Sequence, residues 1–356
     1  MTINTSYPGV YIEELNSLAL SVSNSATAVP VFAVGAEKGI VRDEKEIIRI
    51  NSWMDYLNLE GKFNNTDTLA ISLRAYFTNG GGYCYLINTD KLEALVPTLD
   101  DVTLLVAAGE NIQTAVDTLC TPGRGLFAIL DGPKTLLTRD DVEAAQDKYT
   151  STPFAAVYYP WLTADWADAD IPPSAVMAGV YASVDLSRGV WKAPANVTLK
   201  GGLEPKFLVT DELQGAYNSG RAFNMIRSFS NTGTTVWGAR TLEDHDNWRY
   251  IPVRRLFNTA ERDIKRAMSF AVFEPNSQPT WERVRAAISN YLYALWRQGG
   301  LAGNSEKEAY FVQIGQGITM TPEQINQGKM IIKVGLAAVR PAEFIILQFT
   351  QDVEQR

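Results

Sequence analysis

Apolar residues along the 356-residue chain fall into short runs whose spacing switches between strand and helix periods. Residues 28–34 form an apolar run ending at Gly35, the pattern of a buried strand, and 47–50 repeat it on a smaller scale. Residues 70–77 carry Ile71 and Ala75 at helical spacing, with Leu73 and Phe77 beside them, and Asn79-Gly80-Gly81-Gly82 stops that helix before a strand over 83–87. The pattern then alternates. Strands are expected over 102–106, 125–130 and 154–159, and helices over 111–119, 140–149 and from Pro172-Pro173 through Tyr181. This order predicts a parallel α/β layer.

Two stronger helical patterns follow. Residues 256–272 place Phe257, Ala260, Ile264, Ala267, Met268 and Ala271 on one face, with Glu261 and Lys265 at pairing distance. Residues 281–298 place Val284, Ile288, Tyr291 and Leu295 on one stripe, ended by Gly299-Gly300. A short helix at 322–325 is capped by Thr321 and closed by Gly328, and a strand is expected over 330–334.

Both ends read as orphan strands. After Pro8-Gly9, Val10 and Ile12 point to one side and Tyr11 and Glu13 to the other. Near the other end, Phe344, Ile345, Ile346, Leu347 and Phe349 make a β-prone run with large apolar groups on both faces. Neither has a hairpin partner, so each demands another sheet edge.

Composition narrows the class. Hydrophobic residues at 46% and charged residues at 20% fit a folded globular chain with a sizeable core. The net charge of −8 argues against a general nucleic-acid binder. No apolar run approaches the roughly 18 residues that span a bilayer, and the start lacks the basic and apolar regions of a secretion signal. Charge is uneven. Residues 90–170 hold 14 acidic against 5 basic side chains, whereas 249–300 hold 9 basic against 4 acidic. Solvated faces explain such bias most simply; the sharper alternative is a basic face toward an acidic partner.

Catalytic chemistry is not legible. The one histidine, His245, sits in an acidic, turn-like stretch with no nucleophile motif nearby. Cys84 and Cys120 are the two cysteines, and they have no metal-ligand spacing. Asp165, Asp168 and Asp170 lack the turn glycine of a calcium loop. The triple glycine follows a helix and opens a strand, the reverse of a phosphate loop, and no GxxxxGK[ST] occurs. The residues call for no catalytic site, metal or cofactor.

Several runs, in order from end to end, resemble contractile tail sheath proteins. They are Tyr7-Pro8-Gly9-Val10-Tyr11-Ile12-Glu13-Glu14, Phe77-Thr78-Asn79-Gly80-Gly81 and Arg188-Gly189-Val190-Trp191-Lys192-Ala193-Pro194-Ala195-Asn196. Val236-Trp237-Gly238-Ala239-Arg240-Thr241, Tyr250-Ile251-Pro252-Val253-Arg254-Arg255-Leu256, Phe273-Glu274-Pro275-Asn276 and Arg340-Pro341-Ala342-Glu343-Phe344 continue the series. The layout looks most like sheath subunits of extracellular contractile injection systems, of the anti-feeding prophage and Photorhabdus virulence cassette type. A contractile phage tail is the alternative.

The resemblance implies an α/β fold: a non-catalytic subtilisin-like α/β domain and an α+β C-terminal sheath domain, with extended terminal arms. The corresponding divisions are 1–20 for the N-terminal arm, 21–210 for the α/β domain, 211–340 for the C-terminal domain and 341–356 for the C-terminal arm. It implies no enzyme activity. The partners implied are neighbouring copies joined by exchanged strands, an inner tube, baseplate and terminal cap proteins, and paralogous sheath subunits, without nucleic acid or membrane insertion. Lys329 and Lys333, with Lys265 and Arg266 as alternatives, are the expected tube-facing residues. The resemblance further implies assembly in the bacterial cytoplasm, then an extracellular particle released without a signal peptide.

Overall fold

The computed structural model describes residues 26–35 and 46–344. Among the described residues twelve strands precede residue 238: β1 Pro30–Val34, β2 Ile47–Ile50, β3 Cys84–Asn88, β4 Leu104–Val106, β5 Phe127–Asp131, β6 Ala155–Tyr159, β7 Leu162–Ala164, β8 Ala167–Ile171, β9 Val197–Thr198, β10 Glu204–Pro205, β11 Phe223–Phe229 and β12 Gly233–Trp237. Nine of them form one sheet in the order β2-β3-β1-β4-β5-β6-β11-β12-β9, and β10-β7-β8 form a small second sheet. The central run from β3 to β11 is parallel. The flanking strands β2, β12 and β9 pair antiparallel.

Helices cover both faces, which is why the central strands are apolar on both sides rather than alternating. On one face α1 Trp53–Glu60, α2 Thr68–Thr78 and α6 Pro173–Arg188 pack over Phe32, Leu86, Leu104, Phe127 and Tyr158. On the other, α3 Leu92–Leu95, α4 Gln113–Leu119, α5 Val142–Gln146 and α7 Asp211–Ala216 pack over Val31, Ile87, Leu105, Ala128 and Val157. The βαβα reading of the middle therefore holds. The division expected at 210/211 does not, because β11 and β12 continue the same sheet beyond it. A hairpin whose first strand pairs with β6 cannot belong to a separate body.

The remaining residues build a second core. It contains α8 Ile251–Ala267, α9 Gln278–Arg297, α10 Glu306–Ala309 and α11 Pro322–Asn326, with β13 Tyr310–Gln313 paired antiparallel to β14 Lys333–Leu336. The stripe Val284, Ile288, Tyr291 and Leu295 of α9 is buried as its spacing predicts. Thr321 caps α11 with a reciprocal bond from Gln324. Strand β14 is displaced from the expected 330–334 to Lys333–Leu336, because Met330, Ile331 and Ile332 pack into the second core instead.

Helix α8 departs most from its sequence pattern. It starts at Ile251, with Pro252 in the first turn, and buries Arg254, Arg255, Asn258 and Asp263 along with its apolar residues. Glu261 pairs with Arg254 at 3.0 Å, two turns earlier, rather than with Lys265. A guanidinium with its side chain 5% exposed needs a carboxylate more than a solvated lysine does. The basic bias of this segment is therefore in good part internal. Arg249, Arg254, Arg255, Arg283 and Arg285 all form ion pairs within the chain.

Candidate assembly surfaces

The arrangement offers little for catalysis. A cavity of about 240 Å³ opens at the carboxyl ends of β4 and β5, lined by Gly109, Asp131, Lys148, Tyr149 and Trp161 among others. Its half-buried carboxylate, Asp131, is occupied. Asp131 Oδ1 accepts from the Ser174 amide at 2.7 Å, and Oδ2 accepts from Ser174 Oγ at 2.9 Å and the Gly109 amide at 2.8 Å. Burial pushes its pKa up to about 6 despite those donors. It ties the β5 end to the start of α6. His245 lies in an exposed turn, where its Nδ1 accepts from the Asn247 amide. Cys84 and Cys120 are buried thiols, and burial pushes the pKa of both up. Among the described residues no group of three or more potential ligands could hold a metal, and no helix is long and apolar enough to cross a membrane.

Surfaces for assembly are better defined. The β13–β14 sheet has two strands, and among the described residues no third strand flanks it. One face rests on α9 through Val312, Val334 and Leu336. On the other, the Phe311 ring lies directly over Gly335, where any added Cβ would sit 2.1 Å from it. Phe311 is still half exposed. Two-stranded sheets are marginal alone, and their free edges accept further strands.

Nearby, the loop between α8 and α9 presents Val272 and a fully exposed Phe273, held at φ +70°. Asn276 of that loop donates to the Lys329 carbonyl at 2.9 Å.

The expected tube-facing residues are all exposed but have different neighbours. Lys329 and Lys333 belong to the small sheet and the turn before it, whereas Arg266 leans on the large sheet domain through the Asp100 carbonyl. Lys265 has no ion-pair partner among the described residues. Of the expected arm residues, Val10, Tyr11, Ile12, Glu13, Ile345, Ile346, Leu347 and Phe349 lie outside the described residues. Phe344 is 70% exposed and belongs to no strand.

What the sequence pattern did not reveal is how the chain is held at the two ends of the described residues. Arg255 binds both Asp185 oxygens at 2.9 and 2.6 Å and donates to the Thr27 carbonyl at 3.0 Å. At the other end Arg240 forks onto Glu343, with Nη2 to Oε2 at 2.6 Å and Nε to Oε1 at 2.9 Å. A signal existed: Arg240, Arg255 and Glu343 all fall inside runs that carry the family resemblance.

The profile of the phage tail sheath protein central domain matches residues 89–242, and that of the phage tail sheath C-terminal domain matches 243–352. Together they cover most of the chain. The chain belongs to the phage tail sheath family. The boundary between the profiles falls just after β12, in accord with the sheet rather than with a division at 210. The sheath of PVC, an extracellular contractile injection system solved in its contracted state, is 79% identical, with all of both chains aligned and a TM-score of 0.93. A chain in the contracted baseplate of the anti-feeding prophage is 50% identical over 98% of this chain and 100% of its own, with a TM-score of 0.89. A putative prophage major tail sheath protein of Pseudomonas aeruginosa is 27% identical over 67% of this chain. This sheath protein spans 62% of that relative's length.

Proposed function

We propose that this sheath protein is the subunit of a contractile cylinder in an extracellular injection device. It polymerises helically around a rigid inner tube and, on contraction, drives that tube through a target envelope. The full-length likeness to the contracted PVC sheath carries this reading. The phage-tail alternative rests on the more distant Pseudomonas relative.

The mechanism follows from two features. Terminal segments with apolar faces need foreign sheet edges, and β13–β14 offers such edges. Strand addition satisfies backbone groups across the subunit boundary, so two arms per subunit weave each copy into several neighbours. Head-to-tail contacts that do not close give a helix. Contraction is then a change between two packings of the same bodies, with the arms staying attached. The work comes from a metastable extended state and needs neither nucleotide nor catalysis. Lys329 and Lys333 are the proposed contacts to the tube, with Lys265 and Arg266 as alternates; baseplate and cap proteins bind the cylinder ends.

The test is assembly. Deleting residues 1–14, or residues 345–356, is expected to leave a folded subunit by circular dichroism but no cylinders in negative-stain images. Arm-deleted protein that builds intact, contracting cylinders would overturn the woven-arm reading. Reversing Lys329 and Lys333 to Glu is expected to impair assembly on the tube without unfolding the subunit. Wild-type assembly would remove these two residues from the interface.

A further inference from the structure

Both ends of the described chain are tied at or just ahead of α8: the N-terminal end by arginines of the helix itself, the C-terminal end by the Tyr250 N-cap and by Arg240, which precedes the helix. At the N-terminal side the grip is on main chain. The Thr27 carbonyl accepts from Arg255 Nη2 at 3.0 Å and Thr103 Oγ1 at 2.9 Å, and the Ala26 carbonyl accepts from Arg262 Nη2. Thr27 Oγ1 also donates to Asp185 Oδ2 at 2.6 Å. At the C-terminal side Glu343 accepts the Arg240 fork and a bond from Tyr250 Oη at 3.2 Å. The Arg240 and Tyr250 backbones are themselves bridged. Tyr250 is the N-cap of α8, and Arg255 lies one and a half turns further on, about 7.5 Å of helix rise.

Ordinary packing does not account for this. Glu343 lies in irregular chain between the exposed Ala342 and Phe344, yet its carboxylate is held like a bound ligand. Bidentate arginine–carboxylate pairs fix direction as well as position.

We propose that the first turns of α8 are a tension link, in which Arg240, Tyr250 and Arg255 act as positioning residues that fix where both arms leave the subunit. Tension arriving through one arm passes along α8 to the other, bypassing most of the nine-stranded sheet. This rests on the woven-arm reading above.

Glu343→Gln keeps the shape of the clamp and removes its charge. The free subunit stays folded by circular dichroism, while limited proteolysis just after Phe344 speeds up roughly tenfold, because cleavage follows the opened population. Cylinders form, but after triggered contraction electron microscopy finds them broken far more often than wild type. Arg240→Glu does the same, and Arg240→Glu combined with Glu343→Arg restores intact contracted cylinders. A merely structural defect would not be rescued by the swap. Should Arg240→Glu fail to fold, Glu343→Gln with Thr27→Val on the other clamp supplies the comparison. Clamp variants as protease-resistant and as intact after contraction as wild type, while arm deletions still abolish assembly, overturn this inference and leave the arm reading standing. Arm deletions that assemble normally overturn both.

Discussion

Arg255 and Asp185 have side chains 3% and 4% exposed, so their charges are compensated almost wholly by each other. Burial works against the Arg255 charge, but the Asp185 carboxylate holds its pKa above the ordinary value. The guanidinium also lies 4.6 Å from the centre of the Tyr181 ring. Removing one partner strands the other, so Asp185→Ala is expected to destabilise the subunit by about 3–5 kcal/mol in a urea titration. Asp131 sets a pH effect of the opposite kind. Its folded pKa of about 6 lies above the unfolded value, so its ionisation opposes folding. The contribution is fully present below about pH 4 and is lost as pH rises through about 6, up to about 3 kcal/mol. Relative to wild type, Asp131→Asn is therefore expected to gain stability between pH 4 and pH 7. A constant difference across that range would show that Asp131 does not titrate as described.

At the scale of elements, α2 and α6 approach as closely as backbone allows. A Cβ on Gly179 would stand 2.4 Å from the Tyr76 carbonyl oxygen. Main chain cannot step aside as a side chain could, so Gly179→Ala is expected to cost about 1–3 kcal/mol or more and to lower the melting temperature. Elements like α9 and the central strands were legible in the sequence because one face or both meet the core of their own unit. Helix α8 was legible as a helix, but its start at Ile251 and its buried arginines were not, because its first turns are enclosed by residues distant in sequence. Arg254 and Arg255 look like solvated cations until Phe154, Trp248, Tyr181 and Asp185 are brought around them. The β11–β12 hairpin was missed for a related reason. Its place beside β6 depends on a crossover, and no local period records that. The clamps at Thr27 and Glu343 are long-range pairs, of which the sequence shows the members but not the meeting.

For the whole molecule, α8 belongs to two cores at once. Ile251 packs with the sheet, while Leu256 and Ala260 pack with α9. Neither core can lose α8 without exposing its own apolar face, so the two are expected to unfold together. Calorimetry should show one transition, with tryptophan fluorescence and far-ultraviolet circular dichroism coinciding. Two resolved transitions would mean that α8 leaves one core before the other.

The contact of Gly179 with Tyr76 also bears on where mechanical energy can reside. An interior packed to backbone contact has very low compliance, and squeezing it stores almost nothing before it yields. A cylinder of such blocks resembles masonry joined by springs. On the proposed reading, the elastic energy of an extended cylinder would lie in the joints between copies, and the stroke would be set by how far those joints turn.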